Sequence, residues 1–430
     1  MRVLESPAAR ATILRRAPPG EPRLPPQVRA RIRQAFGQAL SPRRVVDRVE
    51  AEVRRKGDEA LRDLTCRLDG VDIAELGVPP EEMRRAEGQV SRDLLLALKK
   101  ASLRIAAYHD RFRPRRPLEL RGGVGRVVRP LARVGIYVPG NYASTVLMTA
   151  IPARVAGVKQ VVVVSPPQKD GSLPPAVLAA CSLAGIGRVF RVGGAQAIFA
   201  LAYGTETVPA VDKVCGPGGL FVQMAKRQVY GLVDIDGLYG PTEALLLADD
   251  SADPVVLARE LLAQAEHDPL AVAILLTPSR PLAQRVSREV GRLVPQQERG
   301  QIIRQALARQ GGIVLVRDLE EGVELINSFA PEHCALFLQD PWPWAQRIEK
   351  AGGLFLGPQE CLGDYLAGPS HVMPTGGTAR YASPLGVEAF LKYTSLVALE
   401  EGEASRLAPL AATLARAEGL TAHARALEGT

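Results

Sequence analysis

Nine short β-rich runs, each separated from the next by a longer segment that is mostly helix-like, fill the middle of the chain and restrict its fold more than any other feature. The first series is VGIYV (134–138), QVVVVS (160–165), RVFRV and DKVCG (212–216), with stretches such as STVLMTAIPARVAG and PPAVLAACSLAG between them. The second is EALLLAD (243–249), AVAILLT (271–277), GGIVLV (311–316), CALFLQ (334–339) and GGLFLG (352–357). Strands joined through helices run parallel, and parallel sheets are covered by helices on both faces. Two such series predict two doubly wound α/β units. Segments 26–67 and 80–112 read as helices from the apolar spacing in VVDRVEAEV and LLLALKKASLRIAAY. Residues 1–24, rich in Pro and Arg, read as an arm, and 384–430 as a helical tail.

Composition narrows the class. With 430 residues, 47% hydrophobic and 23% charged, the chain can build more than one core. No apolar run approaches the roughly 20 residues of a membrane span, and the N-terminus lacks a secretory apolar core, so a cytoplasmic enzyme is expected. The net charge of +8 reflects arginine-rich helix faces with intervening acids. Without zinc-finger spacing or an aromatic-interleaved basic patch, no nucleic-acid partner is expected. Cys66, Cys181, Cys215, Cys334 and Cys361 are scattered and form no CxxC, as in a chain with reduced thiols. Cys334 directly follows His333, but neighbours on a strand point to opposite faces, which disfavours a nucleophile–base pair.

Only five histidines occur: His109, His267, His333, His371 and His423. Each lies in a polar setting, with Gln264, Glu266, Glu332, Asp364 and Glu418 nearby in sequence. Imidazoles and carboxylates suit a borderline divalent ion and acid–base work, although the spacing, over some 160 residues between the candidate ligands, is not diagnostic. Gln264 and His267 share a helix face by their three-residue spacing. No GxGxxG follows a strand; the glycine turns YVPGN, VGGAQ and CGPGG sit at strand C-terminal ends, where open α/β sheets bind ligands.

Nine motifs in order, VGIYVPG, STVLMTAIPARVAGV, VGGAQAI, IDGLYGPTEALLLAD, LLAQAEHDPLA, FAPEHCAL, GDYLAGPSHVMPT, GVEAFLKYTS and AEGLTAHARAL, make the chain resemble the histidinol dehydrogenase family over nearly its whole length. The resemblance implies two incomplete Rossmann-like domains and an intertwined homodimer. It implies Zn2+ held by Gln264, His267 and Asp364, with His423 supplied across the dimer. Glu332 and His333 match the acid–base pair. Thr242, Gln264, His267, His333, Asp364, His371, Glu418 and His423 match substrate contacts; Tyr137, Gln196 and Gly219 match NAD contacts. The implied reaction is oxidation of L-histidinol to L-histidine through the bound aldehyde. The runner-up is a paralogue oxidising another small alcohol, such as a sulfonated diol; a binding protein with a spent site is disfavoured by the complete acid–base pair. The expected layout is an arm at 1–24, a discontinuous domain of 25–113 and 243–383 carrying the metal and acid–base residues, a dinucleotide-side domain at 114–242, and a tail at 384–430 that reaches the partner.

Three departures from the family pattern fall on the dinucleotide side. The loop GNYAS is about three residues short, Gly219 replaces the usual asparagine, and Tyr239 replaces a small residue. Tyr142 and Tyr239 are candidates to restore the lost contacts or to fill the vacated space.

Overall fold

The computed structural model describes residues 1–16 and 24–428. It contains two parallel sheets. The first runs, edge to edge, Arg188–Arg191, Gln160–Ser165, Arg133–Tyr137, Lys213–Cys215, Asp234–Ile235. The second runs Val3–Glu5, Gly311–Leu315, Val272–Thr277, Glu243–Ala248, His333–Phe337, Gly353–Leu356, again all parallel. In both, the chain steps outward over three strands and then crosses back to the other side of its first strand. That reversal opens a crevice between the two halves of each sheet. The mixed α/β fold with parallel sheets is therefore as expected.

Alternation along the strands shows how each sheet is covered. Val134, Ile136, Val161 and Val163 face one core, shared with Met83, Leu98, Ile105 and Met148. Tyr137, Val162 and Val164 face the other, shared with Val45, Val49, Leu61 and Phe199. Both faces of a parallel strand are buried, which is why VVVV and ALLLA are unbroken apolar runs. In the second sheet Ala244, Leu246 and Ala248 face the helices Pro254–Ala265, Arg280–Leu293 and Gly300–Gln310. Leu245 and Leu247 face Ala9, Ile13 and the helix Leu319–Phe329.

Three expectations need correction. The helices between residues 26 and 112 do not join the second sheet; their apolar faces are buried against the first. The second sheet has no face left for them, because its own crossover helices and the N-terminal segment cover it. The N-terminal segment is also more than an arm. Val3–Glu5 adds an edge strand and Ser6–Ala11 is a short helix, while 17–23 lie outside the described residues. Finally, the region from 384 is not all helical. Leu391–Val397 joins an antiparallel sheet with Val124–Pro130 and Leu118–Arg121. The hairpin turns at Gly122 and Gly123, both with positive φ (54° and 72°), as a two-residue primed turn requires. The helices Glu401–Ala417 and Thr421–Glu428 then pair around their own small core of Ala412, Ala415 and Ala424.

Candidate active site

The strand His333–Phe337 lies beside Glu243–Ala248 at the centre of the second sheet, and its first residue is the buried His333. The imidazole Nε2 is 3.2 Å from Asp364 Oδ1, and Nδ1 is 3.6 Å from Glu332 Oε2. Glu332 Oε2 also accepts the backbone N–H of Glu243 at 3.2 Å. Burial opposes a charge on His333, but the Asp364 and Glu332 carboxylates outweigh it and hold its pKa well above the usual value. Burial likewise opposes the Asp364 carboxylate, and the hydrogen bond and charge of His333 still leave its pKa lowered. Phe355 stacks on the His333 ring at 5.6 Å. That aromatic explains two glycines: a Cβ at Gly353 or Gly363 would lie 2.8 or 2.5 Å from the Phe355 ring. Cys334 points to the opposite core, where burial pushes its thiol far up, so it is no partner for His333.

Asp364 sits on the short helix Glu360–Tyr365, and its backbone carbonyl accepts from His371 Nδ1 at 2.8 Å. His371 therefore keeps Nε2 for another partner, and burial lowers its pKa, favouring the neutral ring. Gln264 occupies the last turn of Pro254–Ala265, a helix capped by Asp253, whose Oδ1 accepts Val255 N–H at 2.8 Å. The Gln264 side chain is buried; Nε2 donates to Glu360 Oε2 at 3.2 Å, and Oε1 has no partner. His267 lies just past the helix end and is exposed. Thr242 precedes the strand Glu243–Ala248.

One chain thus brings together Glu332, His333, Asp364 and His371, with Gln264 and His267 alongside. Glu418 and His423 are exposed on the tail hairpin, and among the described residues no hydrogen bond or ion pair links them to this group. Sequence reasoning missed Glu260 and Glu360, buried beside the site. A signal existed: Glu260 and Gln264, like Glu360 and Asp364, are four apart on helices, and an acid inside the apolar ARELLAQ is conspicuous. Beside Asp364 and His371 a cavity of about 630 Å³ extends past Phe355 to Tyr108, His109 and Glu388. His109 is 2% exposed, and its Nε2 has no partner.

The carboxyl edge of the first sheet supplies a different set. Tyr137 ends its strand, and its hydroxyl accepts Gly194 N–H at 3.4 Å. Gln196, 1% exposed, has neither amide atom paired. Gly219 precedes the helix Leu220–Val229 with φ −68°, and a Cβ there would meet nothing within 4 Å. Lys226 Nζ bonds Asp236 Oδ1 at 2.5 Å and Gly216 O at 3.0 Å, while Asp236 Oδ2 accepts Gly216 N–H at 2.6 Å. This buried pair fixes the CGPGG turn. The Tyr239 ring lies 4.8 Å from Lys226 Nζ, a cation–π position, whereas Tyr142 is half exposed.

A sequence model described as histidinol dehydrogenase matches residues 33–429. The chain is 48% identical to the histidinol dehydrogenase of Deinococcus radiodurans, over 100% of this chain and 99% of that one. It is 49% identical to that of Thermus thermophilus, over 94% and 98%. The chain belongs to the histidinol dehydrogenase family. It is accordingly an oxidoreductase. The crystal structure of the family member from Elizabethkingia anophelis superposes with a TM-score of 0.90 at 31% identity, covering 99% of this chain and 96% of that one. No described helix is long and apolar enough to cross a membrane.

Among the described residues of one chain, no group of three His, Cys, Asp or Glu side chains is arranged to hold a metal. The set that the family pattern implies contains only two residues of those types in one chain, His267 and Asp364, and adds an amide. The buried, unpaired Gln264 Oε1 is the observation that suits such a set. On the dinucleotide side the unpaired Gln196 amide and the open space at Gly219 leave room and donors for a ligand.

Proposed function

We propose that this chain oxidises L-histidinol to L-histidine through bound L-histidinal, the end of histidine biosynthesis, as a zinc-dependent, NAD-linked homodimer. The observation that carries the reading is the buried His333 held between Asp364 and Glu332. Zinc on Asp364 would share that carboxylate's charge and loosen its hold on the His333 proton, leaving His333 to take the alcohol proton in the first oxidation beside Glu332. Glu332 takes a proton from the water that adds to the aldehyde before the second oxidation. His371 offers Nε2 to the substrate, its ring aimed by the Asp364 carbonyl. Gln264, His267 and Asp364 would hold zinc, with His423 of a second copy, and the ion would supply a template for the substrate's imidazole and amine. Tyr137 and Gln196 would hold NAD, which would supply the hydride acceptor for both oxidations. The exposed Leu407, Leu410 and Leu414 on a tail with so small a core support a second copy as its partner.

The test is NADH formed per histidinol consumed, with metal content measured on the same sample. Two NADH per molecule is the expected result. One per molecule, or turnover only with another alcohol, points to a paralogous dehydrogenase; none with metal present refutes the reading. Near-normal turnover by His333→Asn refutes the assignment of the base.

A further inference from the structure

The N-terminal segment reaches the site through one side chain. Arg16 lies before the stretch matched by the family's sequence model. Its guanidinium clasps Glu243 with both terminal nitrogens, Nη1 on Oε1 and Nη2 on Oε2, the latter at 2.8 Å. The Nε and Nη2 donors reach the Phe329 carbonyl at 3.1 and 2.8 Å, and Nη2 lies 3.5 Å from the Ala330 carbonyl. The plane sits 3.9 Å over the Phe329 ring. The segment is anchored independently by its strand pairing, by buried Ala9 and Ile13, and by Ser6 Oγ donating to Glu321 at 2.6 Å.

Both ends of this clasp touch what holds Glu332. Glu243 donates its own N–H to the Glu332 carboxylate. Phe329 and Ala330 end the helix that runs directly into Pro331, Glu332 and His333. Among the described residues Ala330 is the one non-glycine with positive φ (53°), a conformation that L-residues avoid. A helix end leaves carbonyls without partners, and Arg16 supplies them. Its planar fork serves a carboxylate and carbonyls at once, which a lysine cannot do.

We propose that the N-terminal segment is part of the active-site scaffold and that Arg16 is the positioning residue that fixes the Glu332–His333 pair. The inference rests on the acid–base roles proposed above. Without Arg16, a buried Glu243 carboxylate would stand uncompensated beside Glu332, and the turn at 329–331 would lose its cap. The groups facing Glu332 are Glu243, His333, His371 and Tyr239, with Arg16 behind Glu243.

The test uses full-length protein carrying Arg16→Gln, Arg16→Lys or Glu243→Gln, with kcat, KM, the pH profile of kcat/KM and Tm measured for each. Arg16→Gln should lower kcat by about tenfold or more with KM changed less than about threefold, as a misplaced base does. The limb of the profile that Glu332→Gln abolishes should move up in Arg16→Gln, where bare Glu243 repels a second charge. It should move down in Glu243→Gln. Arg16→Lys should fall between wild type and Arg16→Gln. A lower Tm with kcat and the limb unmoved makes Arg16 merely structural and overturns the proposal. If Arg16→Gln does not fold, Glu243→Gln decides alone: an unmoved limb overturns it. Wild-type turnover by Glu332→Gln would instead sink the acid–base reading, while an inactive Glu332→Gln beside a wild-type Arg16→Gln sinks only this inference.

Discussion

Replacing Glu360 by methionine tests the proposed zinc site, because it should separate metal affinity from stability. The Glu360 carboxyl is fully buried and pushed up to about 8, by burial first and also by the nearby charges of Glu260 and Asp364. One oxygen accepts Gln264 Nε2 at 3.2 Å; the other has no partner. With its nitrogen committed, the Gln264 amide turns its oxygen away, free for an ion. Methionine matches the length of glutamate and removes that acceptor. Removing a buried acid with an unpaired oxygen relieves a desolvation cost, while stranding Gln264 Nε2 costs about 1 kcal/mol, so apoprotein stability should stay within ~1 kcal/mol of wild type. The amide then samples two flips and several rotamers of similar energy. That statistical loss is about five- to tenfold, near the low end of the range for residues that orient metal ligands. The assay is zinc competition against a chromophoric chelator, beside urea denaturation of the apoprotein. Zinc affinity unchanged to within about twofold would refute the orientation argument, as would an affinity loss matched by an equal loss of apoprotein stability.

Gly219→Asn should tighten NADH binding about two- to tenfold, the worth of one added hydrogen bond, because the backbone there is ordinary and a Cβ has open space; nicotinamide fluorescence titration measures it, and unchanged affinity refutes it. Burial lowers the His109 pKa to about 4, so the unfolded chain takes up a proton below about 6.5 that the folded chain refuses. Stability is lost as pH falls from about 6.5 toward 4, by roughly 1–2 kcal/mol once screening by water in the adjoining cavity is allowed for. His109→Phe should remove that part of the acid slope in urea melts across this window; an unchanged slope refutes it. Leu410→Asp with Leu414→Asp should yield monomers in sedimentation and lower turnover by about tenfold or more, since both side chains are two-thirds exposed on the isolated chain; an intact active dimer would place the contact elsewhere.

The parallel sheets were legible because burial on both faces writes itself into the chain as unbroken apolar runs. All nine β-rich runs contain strands, the central ones buried on both faces; the edge strands Val3–Glu5 and Asp234–Ile235 carry no such run. What escaped has a different signature. The hairpin around Gly122 and Gly123 has mostly exposed strands, so neither run is continuously apolar, although the Gly-Gly pair between them was a usable cue. Leu391–Val397 pairs only at an exposed sheet, and its pattern is hidden against the helical tail that follows. The placement of helices 26–112 was not legible at all: an amphipathic face says that it is buried, not against which sheet.

The site divides the same way. His333 and Asp364 stood out because histidines are few and their neighbours polar. Glu243 and Arg16 did not, because nothing local marks them. Glu243 opens an apolar strand, where an acid reads as the strand's solvated end. Arg16 belongs to a run in which arginines abound. Only the fold brings them together across 227 residues, and it does so by a device that sequence periodicity cannot report: an edge strand of three residues that delivers a single guanidinium. A carboxylate buried at 7% side-chain exposure next to Glu332 demands a cation, and among the described residues Arg16 is its ion-pair partner. The N-terminal strand thus does more than lengthen the sheet: its pairing with Gly311–Leu315 brings Arg16 to Glu243.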